Sequence, residues 1–149
     1  MYFLSKKSSL ALEAVLDVAF NARPKPVQSK DIAERQGIQS RYLEQVLQFL
    51  VKRGILKGVR GPKGGYTLAR ERRRITLGDV LRVIEDLENE DDKMDSISEL
   101  GEMVIQPIWA EFHSDMLQKL DKITLEDLCQ QAEASRVGRA AGAGLDFVI

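Results

Sequence analysis

"SKDIAERQGIQSRYLEQVLQFLVKRGILKGVRGPKGGYTLAR", residues 29–70, contains three structural signals in a row. "SKDIAERQG" reads as a short helix stopped by Gly37. "IQSRYLEQVLQFLVKRG" reads as a second helix with Tyr42, Val46, Phe49 and Leu50 on one face and Gly54 as its stop. Either Gln39 or Ser40 caps its start. "ILKGVR" and "YTLAR" then read as two strands joined by a Gly-Pro-Lys-Gly-Gly turn. Ala33, Gly37 and Ile38 suit a helix-turn-helix: a small residue for close approach, a glycine for the turn, an apolar plug for the corner. Helix, turn, helix and hairpin together predict a winged helix-turn-helix.

Working outward, "SKKSSLALEAVLDVAFNA" places Leu10, Ala11, Ala14, Val15, Val18 and Ala19 on one helical stripe, with Leu12, Leu16 and Phe20 on a second. A helix apolar on two sides is sandwiched. Pro24 and Pro26 end it. After the hairpin, "ITLGDVLRVIEDLE" opens on Thr76 and Asp79, a capping-box spacing that recurs at Thr124 and Asp127 in "ITLEDLCQQAE". We read the recurrence as shared capping chemistry, not as an internal repeat. Residues 88–96 are acidic and expected to be loop-like. "IWAEFHSDMLQKLDK" is the last long helix, with Pro107 near its start, and the Gly/Ala-rich tail is expected to be largely mobile. The expected fold is mainly α with a small β-hairpin wing. Residues 1–87 would form the DNA-binding domain, 88–132 an acidic linker and dimerisation helices, and 133–149 a flexible tail.

The chain of 149 residues has one cysteine, Cys129, so no internal disulfide can form. With no secretory leader pattern and no long apolar run, a cytoplasmic protein is expected. The net charge of −1 hides a split. Residues 1–84 hold 17 Lys and Arg against 7 Asp and Glu, whereas residues 85–149 hold 5 against 16. A basic half facing a polyanion and an acidic half facing away would produce this asymmetry, although a dipolar, inert surface would too.

"VRGPKGGYTL", residues 59–68, places glycines and cations where backbone can approach an anion. A nucleotide-binding P-loop needs G-x-x-x-x-G-K-[ST] between a strand and a helix. Here Lys63 precedes the glycine pair and a strand follows, so the stretch fits a wing whose Arg60 and Lys63 meet the DNA backbone or minor groove. Lys57, Arg70, Arg72, Arg73 and Arg74 would extend the basic surface. The second helix would present Gln39, Ser40, Arg41, Tyr42, Glu44 and Gln45 to a major groove. Arg can reach guanine acceptors, Gln can pair with adenine and Glu can accept from the cytosine amine. Tyr42 could reach a phosphate or merely pack.

The run from Asp31 to Leu68, with its "YLEQ", "VRGPKGGY" and the following "ITLGDVL", resembles the Rrf-type bacterial winged-helix regulators, the family of IscR, NsrR and CymR. The likeness spans about residues 4–130. It implies a homodimer with crossed long helices, two wings and a pseudo-palindromic operator. By position, Arg41, Tyr42 and Glu44 resemble the family's base-contacting set and Arg60 its minor-groove arginine. Ile108, Trp109, Phe112, Met116 and Leu120 would form the dimerisation face.

The chain departs from the cluster-binding members of that family. Where they carry three cysteines and, in one subgroup, a histidine, this chain places Asp91, Ile97, Met103 and Gln106. None of these four supplies a thiolate or an imidazole, only Asp91 could coordinate at all, and Cys129 and His113 are too few for a site within one chain. The expectation is no metal and no cofactor, with logic closest to cluster-free, CymR-like regulators of cysteine metabolism. An iron–sulfur or redox sensor with atypical ligands is the alternative. The ending Asp146, Phe147, Val148 and Ile149 resembles both the CymR-type terminus and the tail of serine acetyltransferase that enters the active site of cysteine synthase. That resemblance suggests cysteine synthase as a partner, with Ile149 supplying an apolar side chain and a free carboxylate. A protein-binding winged-helix module and a small enzyme are the rivals to DNA binding. No pair of catalytic carboxylates, nucleophile set or nucleotide loop supports an enzyme.

Overall fold

The computed structural model describes residues 4–22, 25–91 and 98–138. Helix α1 (Lys6–Asn21) starts at Ser5, whose hydroxyl accepts the Ser8 N–H at 3.0 Å. It forms the centre of the core: Leu10, Ala11, Ala14, Val15, Val18, Ala19 and Phe20 are buried, with Leu12 and Leu16 half-buried against them. Helices α2 (Ser29–Gln36) and α3 (Ser40–Lys52) follow, joined at Gly37. Gly37 adopts a left-handed φ of +69°, and the next N–H, from Ile38, reaches back to the Ala33 carbonyl at 3.0 Å. The corner is therefore made as the sequence predicts. Gln39 occupies the N-cap position of α3 without a side-chain hydrogen bond, and Ser40 is the first helical residue.

The buried stripe of α3 is Leu43, Val46, Leu47 and Leu50, at the spacing of one helical face. This corrects the expected face. Tyr42 lies on the exposed flank and Phe49 is half-buried, because both sit one step round the helix from the stripe.

Strands β1 (Leu56–Val59) and β2 (Gly65–Leu68) pair antiparallel, with Leu56 opposite Leu68 and Val59 opposite Gly65. A third backbone segment joins them. Val27, just after Pro26, exchanges two hydrogen bonds with Tyr66, at 3.0 and 2.7 Å. The proline-rich connection is thus a one-residue edge that ties the wing to the base of α2.

Helix α4 (Leu77–Asp91) opens on the predicted capping box: the Asp79 N–H donates to the Thr76 hydroxyl and the Thr76 N–H to the Asp79 carboxylate. It continues through residues 88–91, where a loop was expected, so the acidic stretch begins as helix. Helix α5 (Gln106–Leu120) is also longer in effect than expected, since helical backbone begins at Glu99 and passes through a wide π-type turn, Gly101–Ile105. The Gln106 N–H donates five residues back to Gly101, and Pro107, which lacks an N–H, follows directly. Pro107 is therefore at a junction inside a helical run.

Helix α6 (Leu125–Ala134) carries the second capping box, Thr124 with Asp127. The two boxes lie side by side. Thr76 and Thr124 form an antiparallel bridge, with Leu77 N–H donating to Ile123 and Leu125 N–H to Ile75, both at 2.9 Å. Leu125 and Cys129 consequently enter the same core as α1. Packing does not divide at residue 87, because α6 returns to the first unit. Arg82 on α4 grips Asp121 through two bonds and holds its carboxyl below the usual carboxylate range. That pair's contribution is present above the ordinary carboxylate pKa and is lost as pH falls through the depressed value.

Candidate nucleic-acid interface

The first turns of α3 project from the core on the side away from Leu43 and Leu47. Gln39, Ser40, Arg41, Tyr42, Glu44, Gln45 and Gln48 are exposed, Tyr42 by 39% of its surface. Arg41 has no salt bridge among the described residues. Glu44 is engaged, accepting a hydrogen bond from the Ser29 hydroxyl at 3.3 Å. The first residue of α2 thereby touches the helix expected to read bases.

The wing stands beside this surface. Its tip, Arg60 to Lys63, is exposed, and a turn closes it with the Gly64 N–H donating to Gly61 at 2.9 Å. The Gln28 amide donates to the Pro62 carbonyl at 3.4 Å, a second tie between wing and α2. Gly65, at φ +149°, lets β2 pass against Val27; a Cβ there would lie 2.4 Å from the Val27 carbonyl oxygen.

Between α3 and the wing lies an open cleft of about 730 Å³. Glu44 and Gln48 line one wall, Arg60 and Tyr66 the other, and Gln28 and Ser29 the floor. Tyr66 is half-buried; burial raises its phenol pKa above the ordinary value, and the Glu44 charge adds to the rise. Its hydroxyl therefore keeps its proton and can donate to an anionic oxygen. Sequence reasoning placed Tyr66 in a strand and missed its place in the cleft. Gln28 and Ser29 were also missed, although polar residues opening the first helix of such a pair are in position to meet the backbone.

The basic surface is smaller than the sequence suggests. Arg72 bonds to Glu126 at the start of α6 and is only 20% exposed in its side chain, so it ties the turn after β2 to α6 instead of extending the free surface. Arg53 pairs with Asp86 at 2.8 Å and lies over the Phe49 ring. Lys57, Arg70, Arg73 and Arg74 remain exposed.

A second surface lies on α5. Ile108 is 48%, Trp109 70% and Phe112 66% exposed, and Trp109 meets Phe112 edge-to-face with centroids 6.3 Å apart. Met116 and Leu120 are half-buried at the end of the same helix, while Leu117 turns inward. Leu100, Met103, Val104 and Ile105 extend the apolar exposure upstream, which the sequence reading did not anticipate. His113, expected on the helix surface, is exposed and contacts the Glu85 carboxylate at 2.6 Å, bracing α5 against α4. Cys129 is buried in the core. Asp146, Phe147, Val148 and Ile149 lie outside the described residues, as does Ile97.

A winged helix-turn-helix with an exposed recognition helix and a cationic wing defines a DNA-binding protein of the transcription-regulator class. The chain belongs to the Rrf2 family, described as iron-dependent transcriptional regulators, whose profile matches residues 4–131. It is 34% identical over 132 residues to the protein rrf2 of Nitratidesulfovibrio vulgaris, covering 87% of this chain and 88% of that one. The structure of IscR from T. potens superposes with a TM-score of 0.70 at 37% identity, covering 93% of this chain and 94% of that one. The structure of CymR, the global cysteine regulator of B. subtilis, superposes with a TM-score of 0.68 at 30% identity, covering 88% and 98%. These proteins are regulators, not enzymes. Among the described residues no helix is long and apolar enough to cross a membrane.

The family description raises iron, and the donor set present does not fit it. Among the described residues no three His, Cys, Asp or Glu side chains converge on a common point. Cys129 is sealed in the core and His113 is braced by Glu85. At the position of a family cysteine stands Met103, and at that of the histidine Gln106, neither a fit ligand for a cluster.

Proposed function

We propose that this regulator is a homodimer that recognises a specific duplex operator and acts as a repressor. The observation that supports the reading is the open cleft between α3 and the wing, lined by Glu44, Gln48, Arg60 and Tyr66, with Arg41 and Tyr42 exposed on the same helix and Lys63 exposed at the wing tip. In this reading Gln39, Ser40, Arg41 and Glu44 face base edges, Tyr42 and Tyr66 approach phosphates, and the wing lies on the neighbouring backbone or minor groove. The apolar α5 face, Ile108 to Leu120, is covered by the same face of a second copy. Two recognition helices then meet two half-sites, and an operator so occupied is closed to other proteins.

The test separates readout from positioning. Arg41→Ala is expected to relax preference at one base pair, costing about 1–3 kcal/mol there. Lys63→Ala is expected to weaken all duplexes alike and to lower the salt slope by about one. The reverse pattern in a binding titration would interchange the roles of helix and wing.

We further propose that the protein works without an iron–sulfur cluster, on the donor chemistry above. Purified anaerobically, it should be colourless and bind DNA without iron; stoichiometric iron and sulfide with a visible charge-transfer band would refute this. For the signal, the likeness to CymR and the ending Asp146 to Ile149 favour cysteine metabolism, with cysteine synthase bound through Ile149. Calorimetry with cysteine synthase, comparing chains with and without Ile149, decides it: equal affinity in both, or no binding to either, removes this partner.

A further inference from the structure

Where the floor of the recognition cleft meets its α3 wall, Ser29 Oγ donates to Glu44 Oε1 at 3.3 Å. A serine at a helix start commonly caps it, but Gln28 holds the N-cap position of α2 and Ser29 is already helical. The Ser29 hydroxyl is therefore left for a contact outside its own helix. Its backbone is fixed from behind, because Val27, two residues earlier, is buried and exchanges two hydrogen bonds with Tyr66.

Glu44 is the one acid among the described residues that line the cleft, where Lys30 and Arg60 are the cations. Facing a polyanion, an untethered glutamate on an exposed helical face would swing away, since its rotatable bonds allow it. Among the described residues Ser29 is the hydrogen-bond partner that its carboxylate has. At 3.3 Å the bond is long, so it directs the carboxylate without locking it. A serine has a single proton to donate. Directed at Glu44, that proton is not offered to a phosphate.

We propose that Ser29 is a positioning residue for base recognition: its hydroxyl holds the Glu44 carboxylate where it accepts from the amine of a cytosine. This rests on the reading of α3 as the recognition helix. Ser29 touches no base itself. It acts through Glu44 and sets how strictly that one base pair is demanded, as a supporting hydrogen bond does for any preorganised contact.

The experiment titrates the full chain with a selected duplex and with its single-base-pair substitutions. The pair that Glu44 reads is the one at which Glu44→Ala loses preference. Ser29→Ala is expected to cut the preference at that pair roughly fivefold and to leave the preference at the other pairs as it was. Ser29→Thr, which keeps the hydroxyl, should retain the preference, and Ser29→Val, of the same shape without it, should not. In the Glu44→Ala chain, adding Ser29→Ala should change the preference no further. Unchanged preference in Ser29→Ala and Ser29→Val would overturn the proposal and leave α3 as the reader. So would equal weakening of every duplex, the mark of a direct phosphate contact, or an undiminished effect in the Glu44→Ala background. A wild-type chain without sequence preference, or Glu44→Ala without effect at any pair, would overturn the reading of α3 and this inference with it.

Discussion

Phe112→Asp is expected to convert the proposed dimer to a monomer at micromolar concentration and to lower operator affinity at least about a hundredfold. Phe112 is 66% exposed within one chain, so its own fold does not need the ring. In the proposed dimer the ring sits with Trp109 in an apolar hollow that Met116 and His113 complete. A carboxylate buried there without a partner costs several kcal/mol, and each copy contributes one. About 4 kcal/mol corresponds to a roughly thousandfold rise in the dissociation constant. Operator binding then loses the gain from linking two half-site contacts. Light scattering gives the mass, and unfolding of the monomer checks that the chain itself is intact. A Phe112→Asp protein that stays dimeric would remove α5 from the interface.

Gly65→Val will detach the wing. The added Cβ would sit 2.4 Å from the Val27 carbonyl oxygen, backbone that cannot step aside without breaking its two bonds to Tyr66. The φ of +149° is itself unfavourable for valine, at about 1–3 kcal/mol. Together with about 1 kcal/mol for each lost bond, stability should fall by about 3–5 kcal/mol. Hydrogen exchange at Val27 and Tyr66 should speed up more than at Leu47 in the core, and duplex affinity should fall for every sequence. Gly61→Ala is the control: its φ of +106° is also unfavourable, but no atom lies within 4 Å of the added Cβ, so the loss should be smaller. Equal losses in the two variants would mean that strain, and not the Val27 contact, decides.

Much of this architecture was legible because it rests on local chemistry. Gly37 marks the corner, since its left-handed backbone favours glycine, and the two Thr-Asp boxes announce helix starts by spacing alone. The α1 stripe was legible because 3.6-residue periodicity and burial coincide. What escaped was non-local. Val27 gives no sign in sequence that it pairs with Tyr66, some forty residues on. The face of α3 was misread at Tyr42 and Phe49 because aromatic residues on a flank imitate a core stripe. Arg72 looks like any other cation in "RERRR" until α6 brings Glu126 against it. The π-type turn before Pro107 has no composition signal that distinguishes it from a plain helix. At the candidate site, the residues of α3 and the wing could be named from type and order, but their meeting with Gln28 and Ser29 across one cleft required the fold.

The most direct test of the central claim is selection of genomic fragments by the intact protein, followed by titration of a selected duplex and its scrambled counterpart across a salt series. The account predicts tighter binding to the selected duplex at every salt concentration, a two-fold-related footprint, and steep weakening of both complexes as salt rises. Equal affinity for the two duplexes, or affinity that does not respond to salt, would contradict it.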